Sequence, residues 1–109
     1  MRFITSSAEY REIYKNNRNI DSKLFSLLFT KIPHTDETAV GIVVNKKVGK
    51  AVIRNKVKRR VRYFVRSYSE IIKPEFKYII KAKPLSGMSG WSMIRDELKT
   101  LFEAPQLAE

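Results

Sequence analysis

The sequence lacks cysteine and contains one histidine among its 109 residues. Without cysteine there can be no disulfide bond, thiolate zinc site or cysteine nucleophile, and the composition suits a reducing compartment. Long apolar segments are also absent. The longest, around Leu24 to Phe29, is far shorter than the roughly 20 residues that span a bilayer. The first residues contain no apolar core of a signal peptide. We therefore expect a cytoplasmic protein with no membrane contact.

Acidic residues are missing from the segment between Glu37 and Glu70, although this segment contains ten basic residues. The formal net charge is +11, and the rest of the chain is nearly balanced, with twelve basic and eleven acidic side chains. Contacts of such a segment with phosphates release condensed counterions, which favours nucleic acid as the partner. Anionic lipid is a weaker alternative, because the other residues read as a globular core. The ten are Lys46, Lys47, Lys50, Arg54, Lys56, Lys58, Arg59, Arg60, Arg62 and Arg66.

Hydrophobic periodicity predicts one domain, residues 1–109, with the element order α-β-β-α-β-α. Ser6 and Glu9 form a capping box that starts a helix ending near Lys15. Strands are predicted at about 24–30, 39–45 and 77–82, and Gly41 is interpreted as a bulge in the second of these. Apolar residues three and four positions apart predict helices at 53–68 and about 91–104. The predicted fold class is α+β, with helices covering a small mixed sheet.

The second predicted helix gathers most of its basic residues into one sector beside its apolar stripe. This sector contains Arg54, Asn55, Lys58, Arg59, Arg62 and Arg66, while Lys56 and Arg60 lie on the other side of the stripe. A charged helix face is usually only solvated. Here, however, like charges four residues apart repel one another, and no acidic residue of the segment relieves them. We therefore interpret this sector, with Lys46, Lys47 and Lys50 of the preceding turn, as a nucleic-acid-binding surface.

Aromatic residues could supply stacking platforms for unpaired bases. The candidates are Tyr10, Tyr14, Phe25, Phe29, Tyr63 and Phe64. Most aromatic residues belong to the core, and we expect this of Phe29, Phe64, Phe76, Trp91 and Phe102. Tyr10 and Tyr14, one helical turn apart, have polar tips suited to a wet boundary.

The segment from Lys46 to Arg62, KKVGKAVIRNKVKRRVR, resembles the signature of the protein subunit of bacterial ribonuclease P. The resemblance is specific because Arg54, Asn55, Lys58, Arg59 and Arg62 follow a glycine-containing turn and an apolar strand in this spacing. It extends over nearly the whole chain, since the other predicted elements fall where that family has them.

The resemblance implies an RNA-binding subunit of a ribonucleoprotein endonuclease that cleaves the 5′ leader from precursor tRNA. The RNA subunit would supply the chemistry through magnesium ions, and the protein would contribute no catalytic residue, metal site or cofactor. The implied partners are the catalytic RNA, bound by the helix bearing Arg54 and Asn55, and the single-stranded leader. The leader would lie in a cleft lined by Tyr10, Tyr14 and Phe25, with Arg54, Asn55, Lys58 and Arg62 along its rim. The protein would promote substrate binding and activity at low magnesium, with no obligate protein partner.

The resemblance also implies a fold like a domain of ribosomal protein S5 (domain 2-like), with a left-handed βαβ crossover where the general rule predicts a right-handed one. Two positions depart from the family pattern. Leu28 stands where a cleft aromatic is expected, which leaves Phe29 as a replacement, and Asn17 replaces a glycine at a position where positive φ is expected.

Two alternatives use the same sequence differently. A protein-only nuclease would need clustered carboxylates or histidines, and the candidates are poor: His34 with Asp36 and Glu37, and Asp96 with Glu97. A ribosomal protein or a general RNA chaperone would share the fold class and the basic helix. Only the local motif favours ribonuclease P over these.

Overall fold

The strands alternate apolar side chains between two faces, and the helices cover those faces unequally. The computed structural model describes residues 1–33 and 35–108. Within these ranges the helices and strands are β1 (Arg2–Phe3), α1 (Ser7–Lys15), β2 (Arg18–Asp21), β3 (Phe25–Lys31), β4 (Ala39–Val43), α2 (Ala51–Ser67), β5 (Phe76–Ala82) and α3 (Trp91–Phe102).

The strands form one mixed sheet in the order β1-β4-β5-β3-β2. The strand β5 is parallel to β4 and antiparallel to β3, so β4, α2 and β5 make a βαβ unit. The α+β class and the predicted order of the longer elements are confirmed. The edge strands β1, parallel to β4, and β2, antiparallel to β3, are additional. The left-handed sense expected for the crossover stays a prediction.

One face of the sheet packs against α2 and α3 and forms the main core. The predicted stripe of α2 is confirmed for Val57, Val61, Phe64 and Val65, which are buried, whereas Ile53 is 36% exposed. The core prediction is also confirmed for Phe29, Phe64, Phe76 and Phe102, while Trp91 is only half-buried at its edge. Edge-to-face and stacked ring pairs hold this layer together, with Phe29 and Phe76 centroids 5.6 Å apart and those of Phe64 and Phe102 6.1 Å apart.

Among the described helices, α1 alone packs on the opposite face. The Ser6 hydroxyl accepts a hydrogen bond from the Glu9 backbone N–H at 3.4 Å, which confirms the Ser6 half of the predicted capping box. The Glu9 carboxylate instead pairs with Arg2 and Lys77. Ile13 packs on Ala39 and Ile79, and α1 ends where the Asn17 side-chain amide donates to the carbonyls of Ile13 and Tyr14. The positive φ considered for Asn17 is wrong, because no described non-glycine residue has one. Asn17 ends α1 by hydrogen bonding instead.

Gly41 lies directly beneath Tyr10, and the predicted bulge is wrong. Gly41 pairs with Ile79 and Ile42 with Ile80 in unbroken parallel register. A Cβ atom on Gly41 would lie 2.5 Å from Cε1 of Tyr10. The Tyr10 hydroxyl accepts a hydrogen bond from the Ile42 backbone N–H at 3.1 Å. The glycine therefore allows an aromatic ring to lie on the strand.

We predict that Gly41→Ala destabilises the protein by about 1–3 kcal/mol, because the added methyl group displaces the Tyr10 ring. Urea denaturation measures the free energy of unfolding. Gly90→Ala is the matched control, since nothing lies within 4 Å of its Cβ, and should cost less than about 1 kcal/mol. Gly41→Ala should also cost less in a Tyr10→Ala background; equal costs in both backgrounds would contradict the proposed clash.

Candidate nucleic-acid interface

The turn before α2 places three lysines beside the start of that helix. Asn45 accepts a hydrogen bond from the Lys47 backbone N–H at 3.0 Å and begins a single 3-10 turn, Lys46–Val48. Gly49 follows with φ of 151°, in the region that favours glycine, and α2 begins at Ala51. Lys46, Lys47 and Lys50 are all exposed, so the turn adds positive charge to the N-terminal end of α2.

The predicted RNA-binding residues of α2 lie on its outer surface. Asn55, Arg59, Arg62 and Arg66 are exposed, and Arg54 and Lys58 are half-buried. The Arg66 guanidinium carbon lies 5.4 Å from the centre of the Phe3 ring, which attaches this end of the helix to β1.

Within residues 1–33 and 35–108, no carboxylate forms an ion pair with a basic residue of α2 or of the preceding turn. The acidic side chains that do form ion pairs are occupied elsewhere. Glu9 pairs with Arg2 and Lys77, Asp21 with Lys83, and Asp96 with Arg95. Among the described residues, the repulsion inferred from the sequence is therefore not relieved by any ion pair.

Arg54 has an unusual environment among these residues. Its Nε atom is shielded from solvent and has no hydrogen-bond partner in the described part of the chain. Leaving a polar atom in that state costs folding free energy, so the packing of Arg54 is not explained by stability alone.

Two of the residues predicted to line a leader cleft, Tyr10 and Tyr14, lie on α1. Tyr14 is 43% exposed and Tyr10 is half-buried over Gly41. Burial raises the pKa of Tyr14, and the neighbouring Tyr10 raises it further, so its hydroxyl is neutral at physiological pH. Both tyrosines are therefore partly accessible on α1, and their role in a leader cleft stays a prediction.

Phe25 does not line this cleft, and that prediction is wrong. Its side chain is fully buried in the core beneath α2 and α3. Side chains alternate along β3, so Phe25, Leu27 and Phe29 share the core face. Leu28 packs on the α1 side with Tyr10 and Val43, and Phe29 therefore cannot replace the missing cleft aromatic.

Lys81 lies on the face of the sheet that α1 covers, although the sequence interpretation passed over it. It pairs in register with Ser26 and Val43, on the same face of the sheet as Ile79, and it is half-buried. The signal was present in the alternation of β5, where Tyr78 and Ile80 face the core. The α1 side of β5 therefore carries a half-buried cation between β3 and β4.

Glu9 fixes α1 to the sheet through ion pairs with two strands. Its Oε1 lies 2.8 Å from Nη1 of Arg2 on β1, and its Oε2 lies 2.8 Å from Nζ of Lys77 on β5. These partners, Arg2 first, lower the pKa of Glu9 to about 2.

The candidate acidic groups for a protein-borne nuclease site are not brought together. Asp96 pairs with the adjacent Arg95, whereas Glu97 accepts a hydrogen bond from the Leu24 backbone N–H at 3.1 Å. His34 lies outside the described residues. Among the residues that are described, no cluster of three or more histidine, cysteine, aspartate or glutamate residues could hold a metal ion. In the same ranges, no helix has the length and apolar character needed to cross a membrane.

Comparison with known proteins identifies the arrangement. The family model for ribonuclease P matches residues 2–106. The chain belongs to the ribonuclease P protein family. The resemblance carried by the segment from Lys46 to Arg62 is thereby confirmed, and it extends over nearly the whole chain.

Individual relatives agree with the family assignment. The ribonuclease P protein component of Acholeplasma laidlawii is 33% identical over 107 residues, which cover 97% of this chain and 90% of the relative. That of Carboxydothermus hydrogenoformans is 34% identical over 100 residues, which cover 89% and 84%. The fold is similar to the ribonuclease P protein of Staphylococcus aureus, with a TM-score of 0.84, 25% identity and coverage of 98% and 94%. For the Thermotoga maritima protein these values are 0.78, 30%, 87% and 89%.

We predict that Glu9→Gln destabilises the protein at neutral pH by roughly 1–2 kcal/mol, a value reduced from the full pKa shift because solvent screens these pairs. The folded-state pKa is about 2 and the ordinary value 4.5, so this stability is present above 4.5 and is lost as the pH falls toward 2. Denaturation curves across that range should converge for wild type and variant. Glu12→Gln, an exposed change on α1, should leave the wild-type pH profile unchanged; a Glu9→Gln deficit that persists at low pH would contradict the ion-pair explanation.

Proposed function

We propose that this protein is the RNA-binding subunit of the ribonuclease P ribonucleoprotein, which removes the 5′ leader from precursor tRNA. The observation that carries the proposal is the basic face of α2, which no carboxylate of the described residues neutralises, in a chain of this family. The catalytic RNA supplies the chemistry with its magnesium ions, and the protein supplies binding surfaces.

The basic face of α2 and the preceding turn bind the catalytic RNA. The turn lysines, Arg54, Lys58, Arg59, Arg62 and Arg66 present positive charge, and Asn55 adds an amide that can both donate and accept hydrogen bonds. Neutralising roughly five to eight phosphates gives a slope of log K against log salt of about −4 to −7. Assembly is therefore strongly weakened by salt.

The cleft beside α1 binds the single-stranded leader. Tyr14 offers an exposed ring on which a base can stack, and Tyr10 forms the wall beneath it. Lys81 on the floor can pair with a leader phosphate without reading sequence, which suits a segment that differs between tRNA genes. Leu28 offers apolar contact only, so this cleft has fewer aromatic platforms than the family pattern predicts.

Positive charge from the protein lowers the magnesium demand of the complex. Folded RNA brings phosphates together, and that repulsion is relieved either by divalent ions or by fixed cations of a bound protein. A basic helix placed on the RNA therefore replaces part of the ion atmosphere, and activity persists at low magnesium.

Reconstitution tests the proposed function. The purified protein is mixed with a bacterial ribonuclease P RNA, and precursor tRNA cleavage is followed at a magnesium concentration too low for the RNA alone. We expect cleavage to be rescued. A protein that binds this RNA without rescuing cleavage, or binds ribosomal RNA equally well, would be a ribosomal protein or a general RNA chaperone.

Within that assay, we predict that Arg62→Ala weakens binding to the catalytic RNA by about fivefold, near 1 kcal/mol, and reduces the magnitude of the salt slope by about 1. The fold should be unaffected because Arg62 is exposed and outside the apolar stripe. Lys31→Ala removes an exposed charge outside α2 and should leave both quantities unchanged. Equal losses for Arg62→Ala and Lys31→Ala would show that only net charge matters.

We predict that Tyr14→Ala weakens binding of precursor tRNA to the reconstituted complex by about fivefold or more, as expected for loss of one stacked base. Binding of mature tRNA should not change, because it has no leader. Tyr14→Phe keeps the ring and should retain wild-type affinity. A similar loss of affinity for precursor and mature tRNA would show that Tyr14 does not bind the leader.

A further inference from the structure

A second aromatic and cationic surface lies next to the basic sector of α2, where this helix meets the start of α3, and Arg59 belongs to both. It is an open pocket of about 360 Å³ lined by Lys56, Arg59, Arg60, Tyr63 and Trp91. The first four residues are spaced by three and four along α2 and so share one side of the helix. This pocket is separate from the leader cleft, because α1 covers the opposite face of the sheet.

Two aromatic rings form the wall of the pocket. Tyr63 is 60% exposed, which is unusual for a large ring that takes no part in the core. Its ring meets that of Trp91 edge to face, with centroids 5.3 Å apart and planes at 70°. This contact holds the Tyr63 ring in place while leaving much of it open, so a flat ligand can stack there at little entropic cost.

Three cations surround these rings. Nη1 of Arg60 donates a hydrogen bond to the Ser89 carbonyl at 2.9 Å, which fixes its guanidinium group against the loop before α3. Lys56 and Arg59 are exposed, and no carboxylate of the described residues forms an ion pair with either. The pocket thus combines an open π-face with fixed and mobile positive charge.

We propose that this pocket binds an unpaired nucleotide of RNA, with the base stacked on Tyr63 and a neighbouring phosphate held by Lys56 and Arg59. A nucleotide is the ligand that carries a flat aromatic group and an anion within one residue of each other. An apolar protein partner would leave three cations desolvated and unpaired, which is costly. An acidic peptide would satisfy the cations but would not require the exposed ring pair.

Trp91 provides a direct test, because it is the single tryptophan of the chain. The intact protein is titrated with a uridine hexamer, with an abasic ribose-phosphate hexamer of equal charge, and with a glutamate-rich peptide, while Trp91 fluorescence is recorded. We expect the uridine hexamer to change the fluorescence and the other two to have little effect. Tyr63→Ala should weaken this response by about fivefold or more, and Tyr63→Phe should retain it. Met93→Ala, an exposed change on α3 outside the pocket, should behave as wild type.

Several outcomes would contradict the proposal that this pocket binds a nucleotide. An equal response to the abasic hexamer would show simple charge attraction, and an equal response to the peptide would indicate an acidic protein partner. A response to RNA that Tyr63→Ala leaves unchanged would place the nucleotide elsewhere. The protein could rescue precursor cleavage while its Trp91 fluorescence does not change on addition of the uridine hexamer. That result would disprove this site and leave the proposed function intact.

The source of the nucleotide is found in the reconstituted complex. With Tyr63→Ala, a loss of affinity for the catalytic RNA assigns the nucleotide to that RNA, and a loss for precursor tRNA alone assigns it to the substrate. Unchanged affinity for both would mean that neither molecule fills the pocket and would overturn the proposal.

Discussion

Burial of one stripe of α2 holds together a set of cations that would otherwise repel one another. Val57, Val61, Phe64 and Val65 are at most 2% exposed, and each such side chain contributes about 1.5–3 kcal/mol on burial. Each repulsive pair four residues apart on the same helix costs only a few tenths of a kcal/mol. The apolar stripe therefore outweighs the repulsion several times over. The helix can keep its charges unneutralised and available to an external polyanion.

The acidic residues that form ion pairs complement this arrangement, because they connect other elements of the fold. Glu9 connects β1, α1 and β5, and Asp21 pairs with Lys83 at the end of β5. Were these carboxylates within reach of α2, they would compete with phosphate for the same guanidinium groups. Separation of the two charge signs thus serves two purposes. The carboxylates position α1 on the sheet, and the cations of α2 stay available for the proposed RNA contact.

Local sequence patterns were sufficient to predict the elements in which apolar residues recur at a regular interval. Helices α2 and α3 and strand β5 each repeat apolar residues over two or more turns or pleats, and the segment from Lys46 to Arg62 carries the family motif. The edge strands were missed because β1 has two residues and β2 only one apolar side chain, Ile20. The role of Gly41 depends on the Tyr10 ring that lies over β4, and that of Phe25 depends on the helices packed over β3. A short stretch of sequence contains neither contact. Phe25 could have been excluded from the cleft by consistent use of the alternation along β3.

The two proposed contact surfaces of α2 constrain how RNA could lie on this helix. Arg54, Lys58, Arg62 and Arg66 follow one line of the helix, whose end is attached to β1 through Phe3, whereas Lys56, Arg60 and Tyr63 face α3. A helix that lay flat on an RNA surface would use one of these lines and leave the other in water. RNA that occupied both proposed sites would have to curve around the helix past Arg59, which lies between the two lines. The apolar stripe is directed at the protein core, so the proposed RNA contacts are confined to the exposed part of the helix surface.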